Sequence, residues 1–570
     1  MRIVAWVPTL GIGVALALLS CAPPAREAPS AGSSVTSTAP QRTLVIAVRT
    51  EPPSLSTKPL VSTSAVLDAV PLFNAELDRK DERGEAYPYL AEQLPKVGTD
   101  TWRVLADGRV ETTYRLKPGL TWHDRASLNA EDFVFAWRVY ATPELGASRS
   151  LPIAFMEEVV AVDARTFLIR WKQIYADADQ LGTDFPPLPR HILEPDFAKL
   201  DPATFPTLAY WTTEYVGLGP YRLTRWEPGA FIEGDAFSGF VLGRPKIDRV
   251  RAQVIPDANT AVANVLSGAV QYVGQYILAS DVVPTLEEKW GSDGGTILYA
   301  PVDLRGGWVQ LRPEYARPQA LLDVRVRQAL AHALDKATAN DALNAGRGVL
   351  ADSCLLSPLA PYYPQIEPMV QKYPYDPRRT QQLMETAGFP KGASGFFEHN
   401  GTPLEISVAN LGSTQNSQEN AVVTDGLRRA GFPAQMNVLP SSATRDFEAQ
   451  GKLTGVFIQG CGSTLDRLDQ FTSSQIARPE THWAGRNRMA WVIPEYDSAY
   501  ERFSQTLDRS DRLRTAGEMF RLLTQQVPVT AYWLRPVITA HTRDLQGPVA
   551  RQTADVSHTM LGVWAWQWQQ

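Results

Sequence analysis

Cysteine, histidine and positively charged clusters are scarce in this chain, and each shortage argues against a class of function. The 570 residues include three cysteines and seven histidines, and no two histidines have the spacing of metal ligands on one helix. Lysine and arginine number 55 against 61 acidic residues, which gives a formal charge of −6. A mildly acidic chain lacks the basic face that nucleic acids require. We therefore expect neither a metal centre nor nucleic-acid binding.

The motifs of common enzyme classes are missing as well. The sequence has no Gly-x-Ser-x-Gly elbow, no His-Glu-x-x-His, no Walker loop and no Cys-x-x-Cys pair. We therefore expect no enzymatic activity, no catalytic residue and no cofactor. A Ser-His-Asp set assembled in space has no fixed order along the chain, so an exported hydrolase stays as a minor alternative.

The start of the chain carries its single long apolar run. Arg2 precedes the apolar stretch 3–19, and Leu-Leu-Ser-Cys closes it at Cys21. A short basic start, an apolar core and small residues before a cleavage point are typical of an export signal. The closing residues resemble a bacterial lipobox, which implies a signal peptide over 1–20 and a lipid on the Cys21 thiol. An uncleaved membrane span is the alternative, because about 20 apolar residues can cross a bilayer.

A tether and a large body follow the cysteine. Residues 22–41 are rich in Pro, Ser and Thr, and one valine is their largest hydrophobic side chain. Such a segment buries too little apolar surface to order itself, so we expect a flexible tether over 21–41. The body of about 530 residues exceeds one hydrophobic core and predicts two or three domains. Its two cysteines, Cys354 and Cys461, could form a disulfide or remain free thiols, and the sequence leaves both open.

Local patterns predict a mixed α/β body. The apolar run 44–48 is typical of a buried strand, and 109–116 alternates with the period of two that strands show. Asn129 is a good N-cap for a helix with one apolar stripe. Asp323 and Asp376 are expected to cap two later helices. Strands and helices alternate without a strict β-α-β order.

Several residues that could be taken for functional groups have simpler structural interpretations. Arg325 and Arg327 lie on the polar side of a predicted helix, where arginines usually pair with acids. Trp122 and Trp137 are expected in the core. The Gly-Leu-Gly sequence at 217–219 precedes a proline, so it predicts a tight loop before a strand rather than a phosphate-binding loop.

Five sequence blocks resemble the peptide-type solute-binding proteins of ABC importers, known as family 5. Each block is weak alone, but their order and spacing together are specific. The blocks are 51–55 (Glu-Pro-Pro-Ser-Leu), 114–132 (Tyr-Arg-Leu-Lys-Pro-Gly-Leu-Thr-Trp into Leu-Asn-Ala-Glu-Asp), 216–221 (Val-Gly-Leu-Gly-Pro-Tyr), 323–330 (Asp-Val-Arg-Val-Arg-Gln-Ala-Leu) and 375–389 (Tyr-Asp-Pro through Ala-Gly-Phe).

The resemblance implies a fold and its approximate boundaries. The expected class is α/β, with the two-lobed periplasmic-binding-protein fold of the large, cluster-C-like type and a hinge between the lobes. The first crossing between lobes is expected between 296–299 and 308–311, and the return near 529–533. The implied parts are lobe I at 42–305 with an extra subdomain at about 76–211, lobe II at 306–538, and a C-terminal return to lobe I at 539–570.

The resemblance also implies a function outside the cytoplasm. The chain would be a lipid-anchored, monomeric substrate-binding component that captures a peptide or peptide-sized solute and delivers it to an ABC permease and its ATPase. An exported sensor of the same fold is the alternative. Some relatives bind sugars, metal chelates or other solutes instead of peptides.

Ligand contacts are expected from the second lobe. Peptide binders of this family place an aspartate there to pair with the ligand's amino group. The corresponding segment 455–466 lacks the family's Asp-Pro pair, and Asp466 is the positional candidate, with Cys461 and Gly462 beside it. Broad aromatic side chains suit the walls of a ligand cleft, and the candidates are Trp308, Trp483, Trp491 and Trp533.

Overall fold

The computed structural model describes most of the chain after the predicted tether. The leader, Cys21 and the tether at 1–41 lie outside the described residues. The described residues are 42–58, 60, 69–81, 85–106, 108–145, 151–291, 294–440, 442–443, 446–481, 483, 485–550 and 560–569.

The largest sheet among these residues has eleven strands. Strands and helices are numbered in chain order. The eleven are β1 (Thr43–Val48), β9 (Tyr221–Glu227), β10 (Phe231–Ala236), β11 (Arg249–Val254), β12 (Tyr272–Leu278), β13 (Gly295–Val309), β14 (Val349–Leu350), β17 (Ile406–Leu411), β18 (Ala434–Leu439), β19 (Val456–Gly460) and β20 (Val529–Thr542). Their spatial order is β18-β17-β19-β13-β20-β12-β1-β11-β10-β9, with β14 also paired to β20.

A second, antiparallel sheet and three short hairpins complete the described strands. The second sheet lies inside the segment 76–211 and contains β4 (Ala91–Gln93), β5 (Trp102–Val104), β6 (Val110–Leu116), β7 (Met156–Ala161) and β8 (Thr166–Trp171). The hairpins pair β2 (Asp78–Lys80) with β3 (Ala86–Pro88), β15 (Glu398–His399) with β16 (Thr402–Pro403), and β21 (Leu545–Gln546) with β22 (Gln567–Trp568).

The helices pack on the sheets and close the cores. Within the described residues, none is long and apolar enough to cross a membrane. They are α1 (Ala130–Ala141), α2 (Arg190–Phe197), α3 (Ala258–Leu266), α4 (Val283–Trp290), α5 (Val324–Ala333), α6 (Lys336–Asn344), α7 (Tyr363–Ile366), α8 (Pro377–Thr386), α9 (Thr414–Ala430), α10 (Phe447–Gly451), α11 (Pro494–Gln505) and α12 (Arg509–Gln526).

Two long strands connect the halves of the large sheet. β13 and β20 pair along nearly their whole length, from Gly295 opposite Thr542 to Trp308 opposite Val529. At one end β20 borders β12, and at the other end β13 borders β19. The register shifts twice near the middle, between Pro301 and Asp303 and between Leu304 and Gly306, and such irregularities bend a strand locally. The segments predicted to cross between lobes fall in these two strands.

The two halves have separate hydrophobic cores. The first lobe, built from β1–β12 and α1–α4, contains the largest core together with a smaller one beside β12. The second lobe, built from β14–β19 and α5–α12, contains two cores that the large sheet separates. Parallel pairing of β1 with β11 and β12 organises the first lobe, and parallel pairing of β17 with β18 and β19 organises the second. This is the two-lobed α/β fold that the sequence predicts.

Helix starts follow the predicted caps. The Asn129 side chain accepts a hydrogen bond from the amide of Glu131, and the Asp132 carboxylate accepts one from the amide of Asn129. Asp323 and Asp376 cap α5 and α8 in the same way. These caps supply acceptors for amides that a helix start leaves unpaired, so the predicted caps are confirmed.

Two structural expectations need correction, the place of Arg327 and the role of the two glycines in 217–219. Arg325 pairs with Asp323 as expected, but Arg327 is buried and donates to the carbonyls of Leu321, Leu322 and Gln526. At Arg327, the polar side of α5 faces the end of α12 rather than solvent. The two glycines of 217–219 serve close approach rather than turning, because a Cβ on either would overlap the backbone of residue 73.

The open question about the two cysteines also has an answer. Cys354 and Cys461 form a disulfide, with their Cα atoms 5.5 Å apart. The bond joins the loop after β14 to the end of β19, and both sulfur atoms lie beside Gly306 of β13. It therefore cross-links two segments of the second lobe next to a crossing strand.

Candidate functional site between the lobes

A group of charged side chains meets where the two lobes face each other. We call this group the interlobe site. It consists of Lys58, Lys80 and Asp184 from the first lobe and Asp466, Arg467, Asp469 and Arg486 from the second.

The second lobe presents its charges on a short 3₁₀ helix, Leu465–Phe471. One side of this helix is apolar, because Leu468 and Phe471 are buried in the core. The Phe471 ring stacks on the Trp308 indole with centroids 4.9 Å apart and planes 11° apart. Anchored in this way, the helix turns Asp466 and Asp469 toward the first lobe.

A buried amide fixes the loop beside that helix. The Asn487 side chain donates to the carbonyls of Phe471, Thr472 and Trp491 and accepts from the amide of Trp491. The neighbouring Arg486 reaches Asp469, with Nη1 3.3 Å from the nearer carboxylate oxygen. Burial is the largest influence on the pKa of Asp469 and raises it, although Arg486 and Arg467 act in the opposite direction.

The disulfide fixes the segment that precedes the 3₁₀ helix Leu465–Phe471. The amide of Cys461 donates to the carbonyl of Leu304 at 2.7 Å, and the amide of Leu355 donates to the carbonyl of Gly462 at 2.8 Å. Together with the bond to Cys354, these contacts tie Cys461 and Gly462 to β13 and to the loop after β14. Both predicted residues therefore lie at the cleft edge of the second lobe as rigid backbone.

The first lobe presents Lys80 at the end of β2. The two residues before it are buried, and Arg79 forms an ion pair with Glu76 at 3.1 Å with both side chains less than a tenth exposed. The Arg79 guanidinium also lies 4.1 Å from the centre of the Tyr89 ring. A buried pair of this kind is costly to break, so it fixes the strand from which Lys80 projects.

Asp78, two residues before Lys80 on β2, has a carboxyl group with an unusual pKa. Asp78 is buried and accepts a hydrogen bond from the amide of Gly182 at 2.7 Å. The pKa of Asp78 is raised to about 7, mainly by burial and also by the Glu76 carboxylate, against the lowering effect of the Gly182 and Leu181 amides and of Lys80. This acid therefore titrates near neutral pH.

Asp466 and Lys80 join the two walls of the site. The Lys80 ammonium lies 3.8 Å from a carboxylate oxygen of Asp466, and the Thr464 hydroxyl also donates to Asp466. Burial alone would raise the pKa of Asp466, but Lys80, Arg467, Thr464 and Arg486 outweigh it and hold the pKa below its usual value. The side chain nevertheless keeps 36% of its accessible area. Asp466 therefore stays accessible to solvent while charges from both lobes act on it.

Lys58 is a desolvated cation of the interlobe site. Burial is the largest influence on its pKa and lowers it, the charges of Arg486 and Arg467 lower it further, and Asp184 raises it. Its ammonium also lies 5.7 Å from the centre of the Tyr140 ring. The pKa of Lys58 thus depends on charges from both lobes.

Three of the predicted tryptophans lie in the interior of the second lobe. Trp308 and Trp491 both contact Phe471, the second edge-on at 5.9 Å. Trp533 is fully buried beside Tyr532. Trp308 and Trp491 would affect a ligand through the packing of this wall, whereas Trp533 lies in the core on the other side of the large sheet.

The fourth predicted tryptophan, Trp483, lines a different pocket. This pocket has a volume of about 770 Å³ and belongs to the second lobe alone. Lys452 and Arg312 both lie 5.4 Å from the centre of the Trp483 ring. The lining residues are Tyr315, Ser442, Asp446, Phe447, Glu448, Lys452, Pro479 and Trp483.

The interlobe site presents charged and polar side chains from both lobes. Across the described parts of the chain, no three His, Cys, Asp or Glu side chains are grouped closely enough to hold a metal ion. Of the residues predicted from the sequence, Asp466 lies in the interlobe site, whereas Lys58, Lys80 and Arg486 were not predicted. The run Asp-Arg-Lys at 78–80, directly after a buried stretch, is the signal that points to one of them.

Known proteins share this fold over nearly the whole body. The structure of NikZ from Campylobacter jejuni in complex with Ni(L-His) aligns with a TM-score of 0.77 at 21% identity, over 93% of this chain and 100% of that one. The oligopeptide-binding protein AppA from Bacillus subtilis, solved with a nonapeptide, aligns with a TM-score of 0.74 at 20% identity, over 93% and 99%.

Sequence comparison agrees with the structural one. The oligopeptide-binding protein AppA of Bacillus subtilis (strain 168) is 23% identical over 508 residues, which is 87% of each chain. The family model described as bacterial extracellular solute-binding proteins, family 5, middle region, matches residues 87–477. The chain therefore belongs to the bacterial extracellular solute-binding proteins of family 5.

Proposed function

We propose that this protein is the solute-capturing component of an ABC importer. It binds a peptide or peptide-sized solute between its lobes and presents the closed complex to a permease, which its ATPase drives. No chemical step is assigned to it. Oligopeptide binding by the Bacillus subtilis relative supports a peptide as the cargo.

The observation that carries the proposal is the pair of crossing strands with charged walls on both sides. β13 and β20 alone link the cores of the described lobes through the large sheet. A ligand that contacts both walls stabilises the closed arrangement of the lobes relative to an open one, by its difference in affinity for the two. Binding and closure are therefore coupled.

Asp466 is the proposed anchor for a positively charged group of the ligand. Its carboxylate already has the Lys80 ammonium 3.8 Å away, so a ligand amine would share or replace that contact. Cys461 and Gly462 supply rigid backbone beside it. Trp308 and Trp491 support this wall from behind, whereas Trp533 lies in the other core of the second lobe and Trp483 lies apart from the wall.

Native mass spectrometry of the purified 42–570 unit tests the proposal. We expect a bound molecule of peptide-like mass that leaves on denaturation, and a saturable rise in melting temperature with synthetic peptides of two to nine residues. Asp466→Asn should weaken that rise, whereas Asp425→Asn, on an exposed face of α9, should not. The absence of any bound molecule together with no response to the peptides would contradict solute capture, as would turnover of peptide or ester substrates.

We also propose that the mature chain is held to the membrane by a lipid on Cys21. The lipobox-like sequence before it and the Pro/Ser/Thr-rich segment after it support this. Full-length protein extracted from membranes should begin at Cys21 with diacylglycerol attached. Cys21→Ser should move the protein to the soluble fraction or leave residues 1–20 attached, and an unmodified Cys21 in the mature protein would contradict the anchor.

A further inference from the structure

A second set of contacts joins the lobes through residues that the interlobe site does not include. We call it the rim contact, and it consists of residues 175–178 of the first lobe and 503–512 of the second. The amide of Ala176 donates to the carbonyl of Ser504 at 2.8 Å. Leu507, from the loop between α11 and α12, packs against the core of the first lobe.

An arginine fork lies at the centre of the rim contact. Both terminal nitrogens of Arg512 donate to Asp177, one to each carboxylate oxygen, the first at 2.6 Å. The two side chains are only 18% and 19% exposed. Two parallel charge-assisted bonds in a partly desolvated place form the strongest geometry available to an ion pair.

Each partner is held in position before the lobes meet. On the first lobe, Asp177 lies between Tyr175 and Ala178, both in the core, and the Tyr114 hydroxyl donates to the carbonyl of Ala178. On the second lobe, the Arg512 guanidinium lies 4.3 Å from the centre of the Phe503 ring. Neither side needs to order a loop when the contact forms, so little conformational entropy is lost.

We infer that the rim contact is a latch that holds the lobes together without ligand and sets how often the protein opens. Its contacts join one lobe to the other through residues outside β13 and β20, so separation of the lobes must break them. Its strength therefore adds to the stability of the closed form. Apparent affinity for any ligand that enters the open form falls as the closed fraction rises, so the latch also tunes affinity.

The amide of Ala176 gives a direct measurement of opening, because its hydrogen-bond acceptor belongs to the other lobe. Its hydrogen exchange rate scales with the fraction of open molecules. In the 42–570 unit, which is compact by itself, Arg512→Gln should speed this exchange by about tenfold, within the usual range of coupling between two states. Asp177→Asn should do the same, and Arg512→Lys, which keeps the charge but loses the fork, should fall between.

Matched controls separate opening of the lobes from local loosening. Arg502→Gln removes an ion pair with Glu518 that joins α11 to α12 within the second lobe, so it should leave exchange at Ala176 unchanged. The amide of Gln180 bonds to the carbonyl of Asp177 within the first lobe and should keep its rate in every variant. Unchanged exchange at Ala176 in Arg512→Gln, or equal acceleration at Gln180, would overturn the latch. The measurement needs no ligand. The latch can therefore be refuted while solute capture is supported, and solute capture can be refuted while the latch is supported.

Discussion

Two sets of ion pairs hold this molecule together, and they differ in burial and in what they join. At the crossing strands, Arg305 pairs with Glu419 and Arg535 pairs with Asp303, with every side chain at most 12% exposed. At the mouth of the cleft, Arg512 pairs with Asp177 and Lys80 pairs with Asp466, all more exposed than the first set. We call the first set the crossover pairs and the second set the facing pairs.

The two sets differ because water can replace the partner of a charge in a facing pair but not in a crossover pair. A crossover pair that breaks leaves charges in the interior, where their lost hydration is not restored. When the lobes separate, the members of a facing pair regain water, so the net cost is small. The crossover pairs therefore fix the axis about which the lobes turn, and the facing pairs can form and break as they do so.

The largest expected effect comes from breaking a crossover pair. Glu419→Gln removes the charge that faces the buried Arg305 guanidinium, and such a loss costs about 3–5 kcal/mol in the free energy of unfolding. Urea denaturation of the 42–570 unit measures it. The control is Asp425→Asn on the same helix, where the pair with Arg429 is exposed and a change within about 0.5 kcal/mol is expected. Equal effects of the two variants would remove the distinction between the two sets.

The disulfide should be the next largest contribution on the second lobe. Replacing Cys354 and Cys461 together by serine should lower the free energy of unfolding by about 2–4 kcal/mol, because the unfolded chain loses a cross-link. Reducing agent should destabilise the wild type and leave the double variant unaffected in thermal unfolding. A wild type that melts at the same temperature with and without reductant, despite complete reduction, would contradict this role.

The pH dependence of the free energy of unfolding should differ between Asp78, which lies near a facing pair, and Asp303, which belongs to a crossover pair. The folded pKa of Asp78 is about 7, above the ordinary value of 3.8. The stability it contributes is complete below 3.8 and is lost as the pH rises through 7. Between pH 4 and 8, wild-type stability should therefore fall relative to Asp78→Asn, measured by denaturation at each pH. A constant difference across this range would show that Asp78 is not the titrating group.

The crossover carboxylate should behave in the opposite direction. Burial raises the pKa of Asp303, but Arg535 and Arg305 outweigh it, and the net pKa lies below the ordinary value. Its contribution is present above 3.8 and is lost only as the pH falls through the folded pKa. Asp303→Asn should therefore reduce stability at neutral pH and lose that effect in acid.

The smallest effect belongs to the exposed facing pair. Lys80→Gln should change the free energy of unfolding by less than about 1 kcal/mol, as expected for partly exposed pairs. The same urea titrations that measure Glu419→Gln give this value. A loss of unfolding free energy as large as that of Glu419→Gln would show that the facing pairs stabilise the fold as strongly as the crossover pairs do.

Local signals allowed much of this architecture to be predicted. The caps Asn129, Asp323 and Asp376 act on amides within three residues, so their neighbours in sequence are also their partners in space. The burial of Arg327 was not predictable in this way, because one of its acceptors is the carbonyl of Gln526, at the end of another helix.

The candidate site depended more on contacts distant in sequence. Asp466 was found through the resemblance of its segment to a family, whereas its partner Lys80 lies on a short strand in the other lobe. The pairing of Cys354 with Cys461 likewise follows from a loop meeting the end of a strand. Trp308 was predicted as a cleft wall, and its stacking on Phe471 instead supports the wall from inside.

Hydrogen exchange with and without bound solute tests the central claim most directly. The solute is the molecule that co-purifies with the 42–570 unit, added back to protein from which it has been removed. The account predicts that binding slows exchange on both walls together, at 78–80 of the first lobe and 465–471 of the second. Protection confined to one lobe, or to the pocket around Trp483, would contradict capture between the lobes.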